Sequence, residues 1–80
     1  MEFAINRDSP VHGYRQLAEQ LHAKIGTGEI ADRLPSLNQL VADSGLSMST
    51  VQHAVKVLKD EEVVYSVKGR GLFVRREEGL

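Results

Sequence analysis

The chain has no cysteine and no tryptophan, and it carries two prolines, two tyrosines and two phenylalanines in 80 residues. Without cysteine there is no disulfide framework and no thiolate-based zinc or iron–sulfur site. No apolar run approaches the roughly 20 residues that span a bilayer. Met1-Glu2-Phe3-Ala4-Ile5 is too short and too acidic for a signal peptide, so a cytoplasmic location is expected. An excess of either charge is also missing: 10 Lys and Arg stand against 11 Asp and Glu, for a net charge of -1. Read globally, that balance argues against a polyanionic partner; read locally, it does not. Lys68, Arg70, Arg75 and Arg76 fall in one stretch, just after Asp60-Glu61-Glu62, and clustered cations are enough for a nucleic-acid footprint. His12, His22 and His53 are far apart in sequence, with no cysteine to join them and no carboxylate pair in an evident apolar setting. No metal, no cofactor and no catalytic centre is therefore expected.

What is present is one small domain's worth of aliphatic residues, at 41% hydrophobic content. A domain of this size has to bury most of them. Residues 1–10 read as an extended lead-in, with Ser9 and Pro10 as helix starters. Tyr14, Leu17, Ala18, Leu21 and Ile25 recur at helical spacing, which predicts a helix from about Val11 to Ile25 closed by Gly26 and Gly28. An aromatic on that stripe reads as core, so Tyr14 is expected inside.

Ser36 stands where an N-cap should, and Gln39 three residues on can complete a capping box. Leu37, Leu40 and Val41 give the next apolar stripe, ended by Gly45. Ser47 opens a third helix, Met48 to about Asp60, whose inward face is Val51, Ala54, Val55 and Leu58. Two short helices joined by a tight glycine-containing turn are a helix-turn-helix pattern. The period then changes. Val63 to Val67 and Leu72 to Val74 are β-branched and aromatic, with the turn Lys68-Gly69-Arg70-Gly71 between them.

Tyr14-Arg15-Gln16-Leu17-Ala18, Leu34-Pro35-Ser36, Gly45-Leu46-Ser47, Thr50-Val51 and Gly69-Arg70-Gly71-Leu72-Phe73-Val74 stand in the order and spacing of one known family. Over roughly Ser9 to Val74 the sequence resembles the amino-terminal domain of the GntR family of bacterial transcription regulators. The resemblance implies an α+β winged helix-turn-helix over residues 11–76: three helices, a two-stranded wing and a third, very short strand near Arg33-Leu34. Residues 77–80 then form a frayed tail or the start of a linker. It also implies sequence-specific binding of double-stranded DNA by a repressor, with operators built as inverted repeats and a homodimer when the protein is intact. Any small-molecule effector would bind outside this chain. The alternative is a winged helix used for protein–protein interaction.

On that reading Ser36 and Asn38 face a phosphate at the start of the second helix. Gln52 can pair with adenine, Lys56 with guanine or phosphate, and Met48 with a thymine methyl. Ser49 and Thr50 offer hydroxyls to phosphate, and His53 a ring edge to a base or phosphate. Lys68 contacts phosphate, Gly69 lets the backbone approach closely, and Arg70 enters a minor groove. Three positions depart from the family's usual arginine: Asn38, Met48 and Gln52. Their loss predicts less dependence on guanine and a shallower salt dependence. Glu62 stands where the family usually has glycine, which predicts a differently shaped helix end. Ala31-Asp32-Arg33 is a shortened form of a glycine-rich turn.

Overall fold

Helix α3 (Met48–Asp60) carries Val51, Ala54, Val55 and Leu58 on one face, and all four are buried. In this computed structural model, which describes residues 1–75, α1 (Gly13–Thr27) and α2 (Leu37–Ser44) both pack on α3. The chain then returns as an antiparallel pair, β1 (Val64–Val67) and β2 (Gly71–Val74). The expectations for Arg76 and for the tail over 77–80 lie outside the described residues. Leu17, Leu21, Leu40, Val51, Leu58 and Val64 are the largest fully buried side chains. Each is worth about 1.5–3 kcal/mol relative to exposure, so α1, α2, α3 and β1 are tied into one core.

The local signals in the helix-turn-helix act as the sequence predicts. The Ser36 hydroxyl accepts from Gln39 N at 3.1 Å, and the Ser47 hydroxyl accepts from Thr50 N at 3.2 Å. Gly45 adopts the left-handed conformation that ends α2, with its N–H donating to Val41 O. The capping box is not completed, however: the Gln39 side chain donates forward to Asp43 Oδ1 at 2.9 Å.

Helix α1 departs more. It begins at Gly13 with His12 as an N-cap whose side chain makes no capping bond, and it runs through Gly26 to Thr27. Ser9 does not cap it; its hydroxyl accepts from Val11 N one turn earlier, at 3.1 Å. Gly13 fits beside Leu46, where an added Cβ would lie 3.0 Å from Leu46 Cδ2. The start of α1 thus docks on the turn between α2 and α3. Tyr14 is half-buried rather than interior. Its ring packs against the core's edge and stacks on His53, with centroids 3.8 Å apart and planes 10° apart.

The lead-in is not extended throughout: Arg7 and Asp8 form a turn in which Ser9 N donates to Asn6 O at 3.3 Å, and the residues before it are pinned. Gln20 pairs with Ala4 through both amide groups, accepting from Ala4 N at 2.8 Å and donating to Ala4 O at 2.9 Å. Gln16 does the same for Asn6, at 2.7 and 2.9 Å, and donates to Val11 O at 2.7 Å. Two glutamines one helical turn apart meet alternate residues of an extended strand, because four helical residues rise about 6 Å and two extended ones about 6.6 Å. Phe3 and Ile5 pack against the core from this segment.

The wing pairs Val64 with Val74, Tyr65 with Phe73, Ser66 with Leu72 and Val67 with Gly71. The third short strand is present as a bridge between Arg33 and Phe73, flanked by Val74 N donating to Asp32 O and Leu34 N donating to Leu72 O. The end of α3 corrects the expectation of a different shape. Glu62 has φ 60, Glu62 N donates to Lys59 O, and Val63 N donates to Leu58 O. Those two bonds form the Schellman closure that glycine ordinarily makes, here carried by a glutamate.

Candidate nucleic-acid interface

One side of α3 is buried, so its other positions are presented outward. Met48, Gln52 and Lys56 follow at intervals of four on an exposed stripe, and Ser49 and His53 are exposed beside them. Lys59 continues that stripe toward the wing. The opposite wall is the wing turn, closed by Arg70 N donating to Val67 O at 2.9 Å, with Gly69 at φ 79 and Gly71 at φ 105. Between α3 and the wing lies an open cleft of about 480 Å³, lined by Ser36 from α2, by Gln52, Lys56 and Lys59 from α3, and by Gly69 from the wing.

Charge is sorted among the surface hollows. Arg33, Lys56 and Lys59 line the α3–wing cleft, and among the described residues no carboxylate does. A second hollow, under α1, has Glu19 and Glu61 opposite Arg15. A third, at the lead-in, has Glu2, Glu29 and Asp43 opposite Lys24. The near-zero net charge therefore conceals one cationic groove.

Several expected contacts are already engaged within the protein. Ser47 Oγ lies 2.8 Å from Thr50 Oγ1 and 3.3 Å from Ser49 Oγ, so both hydroxyls belong to the α3 cap, and Thr50 is half-buried. Lys56 Nζ meets Asp60 Oδ2 at 2.8 Å, in an exposed pair of a kind worth about 0.3–0.5 kcal/mol. That pair yields readily to a phosphate. His53 keeps an exposed edge, but one ring face is covered by Tyr14. Among the described residues Gln52, Lys68 and Arg70 have exposed side chains with no partner in the protein. Asn38 is exposed on α2 and does not line the cleft.

Arg33 and Lys59 are absent from the residues singled out by sequence. Lys59 could have been found, since it lies three residues beyond Lys56 and seven beyond Gln52 on a helix. Arg33 reaches the site only because its strand pairs with β2. Its guanidinium lies 5.7 Å from the Phe73 ring centroid, and a Cβ on Gly71 would fall 3.2 Å from Arg33 Nη2.

A helix-turn-helix whose outward helix and β-hairpin wing flank a cationic cleft defines the class of winged-helix DNA-binding domains. The profile of bacterial regulatory proteins of the gntR family matches residues 13–74. The chain belongs to that family. It is 39% identical over 74 residues to the HTH-type transcriptional repressor NagR of Bacillus subtilis, covering 90% of this chain and 30% of the relative. The chain thus spans about a third of that relative's length. Among solved structures, YtrA from Sulfolobus acidocaldarius, a GntR-family transcription factor, superposes with a TM-score of 0.85 at 32% identity, covering 96% of this chain and 83% of the other. The DNA-binding domain of AraR in complex with operator ORE1 superposes with a TM-score of 0.78 at 27% identity, covering 94% of each. Among the described residues no helix is long and apolar enough to cross a membrane.

Proposed function

We propose that this chain is the DNA-reading domain of a transcription repressor, and that it works by occupying an operator. In this reading Gln52, with Met48 and Lys56, faces base edges in the major groove, while Arg70 enters the neighbouring minor groove and Lys68 holds phosphate. Ser36 and Asn38 sit at the start of α2, beside the backbone. Ser49, Thr50 and His53 lie on the same helix beside those positions, and Gly69 leaves room at the wing for a sugar or phosphate. The observation that carries the reading is the cleft between α3 and the wing, lined among the described residues by three cations and no carboxylate. The repressor NagR and the operator-bound AraR domain support it by similarity. Intact, the protein would act as a homodimer on an inverted repeat, since two-fold symmetric proteins take two-fold symmetric sites. Any effector pocket would lie outside this chain.

Selection of duplexes from a random pool, with the chain fused to a neutral dimerising module, tests this directly. Enrichment of an inverted repeat is expected, with adenine chosen opposite Gln52. The double change Lys68→Ala/Arg70→Ala should then weaken binding to the selected duplex and lower the salt slope by about one unit per cation. Retention of no duplex at low salt refutes the DNA-reading function. Unchanged affinity in the double variant refutes the wing assignment.

A further inference from the structure

A helix in the major groove and a wing in the adjacent minor groove are separated by one sugar-phosphate strand, so that strand has to cross whatever lies between them. Here the intervening feature is the α3–wing cleft. Its floor is apolar, with Leu34, Val55 and Leu72. Arg33 and Lys59 line it, and among the described residues neither is within ion-pair distance of a carboxylate. Both could be solvated surface cations, but three observations point elsewhere. They share a cleft that no acidic group lines among the described residues, whereas the hollows under α1 and at the lead-in each contain carboxylates. Arg33 is held in place by the Phe73 ring and by the bare Cα of Gly71. The third cation, Lys56, is the one that does have a carboxylate partner.

We propose that Arg33 and Lys59 form a phosphate clamp that holds the backbone strand between the two grooves, supplying the cationic contacts that Asn38, Met48 and Gln52 do not. The inference rests on the DNA-reading function and adds two contact residues to it. Neither side chain selects a base; both position the duplex. Salt dependence should accordingly be steeper than Lys56, Lys68 and Arg70 alone would give, by about two units of log–log slope for each domain bound.

The test uses the 80-residue chain fused to the same dimerising module, with binding to the selected duplex followed by fluorescence anisotropy at roughly 50 and 200 mM salt. Lys59→Met and Arg33→Met keep the aliphatic stems and remove the charge. Each removes one cation from both domains on the inverted repeat and should shrink the ratio of affinities at the two salt concentrations by about 12-fold, with base preference unchanged. Arg33→Lys restores the charge without the planar fork and should regain the slope, which separates lost charge from a disturbed wing. A neutral methylphosphonate placed at the bridging phosphate should weaken wild type several-fold, weaken each single Met variant less, and cost the double variant Arg33→Met/Lys59→Met nothing more. Wild-type salt slopes in both Met variants overturn the clamp while leaving the DNA-reading function standing. Failure of the wild-type chain to bind any duplex overturns both.

Discussion

Glu62 is the position where the fold and the side chain disagree, and the disagreement has a measurable size. Its φ of 60 places it in the left-handed region, where the Schellman bonds from Glu62 N and Val63 N hold it. An L-residue with a Cβ pays about 1–2 kcal/mol there. Glycine pays nothing sterically but loses about 0.5–1 kcal/mol more chain entropy on folding. Glu62→Gly should therefore stabilise the domain by about 0.5–1 kcal/mol, which at 4–8 °C per kcal/mol for a domain of this size raises Tm by roughly 3–6 °C. Charge confuses the comparison, since a carboxylate near a helix C-terminus opposes the helix dipole. Glu62→Ala removes the same charge and keeps the Cβ, so the difference between the two variants isolates the backbone term. Thermal melts by circular dichroism, together with urea midpoints at constant m-value, give the comparison. If Glu62→Gly is no more stable than Glu62→Ala, the strain is not stored in the native state and the reasoning fails.

Removing the two glutamines that pin the lead-in, as Gln16→Ala/Gln20→Ala, deletes five hydrogen bonds to Ala4, Asn6 and Val11. These bonds are solvent-accessible, so the loss should sit at the low end of 0.5–1.5 kcal/mol each, about 2–3 kcal/mol together. Native-state hydrogen exchange should show the Ala4 and Asn6 amides losing protection beyond this global amount, and unchanged protection there would refute the pinning. The wing glycines should separate in a different assay. Gly71→Val combines φ 105 with a Cβ 3.2 Å from Arg33 Nη2, whereas Gly69, at φ 79, has nothing within 4 Å. Melts should show Gly69→Ala losing only about 1–2 kcal/mol of left-handed strain and Gly71→Val losing more, because it also displaces Arg33. Equal losses would mean that Arg33 is not held by Gly71.

Much of the fold was legible because its signals are local. Ser36 and Ser47 each bond an amide three residues on, and Gly45 ends α2 within the same short stretch. Such features need no knowledge of the rest of the chain. The start of α1 is not legible, for the complementary reason. Ser9-Pro10 looks like a helix start, but Ser9 is spent on its own turn, and the chain enters α1 where Gly13 can approach Leu46, thirty-odd residues away. The glutamine ladder was invisible for the same cause: Gln16 and Gln20 reach backbone 10 and 16 residues earlier, and a glutamine on a half-polar helix face announces nothing. At the candidate site, the exposed stripe of α3 followed from helical periodicity. The occupation of Ser49 and Thr50 by the cap and the stacking of His53 on Tyr14 depend on neighbours that spacing does not reveal.

The arrangement of charge explains why a nearly neutral chain can still face a polyanion. Carboxylates are placed where they pair inside the protein or line other hollows: Glu29 with Lys24 at 3.0 Å, Asp60 with Lys56 at 2.8 Å, and Glu19 and Glu61 under α1. What remains exposed on the reading side is Gln52, Lys59, Lys68, Arg70 and the held Arg33. Arginine at Asn38, Met48 and Gln52 would put binding energy and base selection in the same side chains. In the proposed reading the two are largely separable: Gln52 and Met48 face the bases beside Lys56, Arg70 enters the minor groove, and Arg33, Lys59 and Lys68 hold phosphate. Substitutions at Gln52 should therefore change which duplexes are selected with little effect on salt slope. Substitutions at Lys59 and Arg33 should change the slope with little effect on which duplexes are selected. A variant at Gln52 that altered both together would show that reading and gripping are not divided in this way.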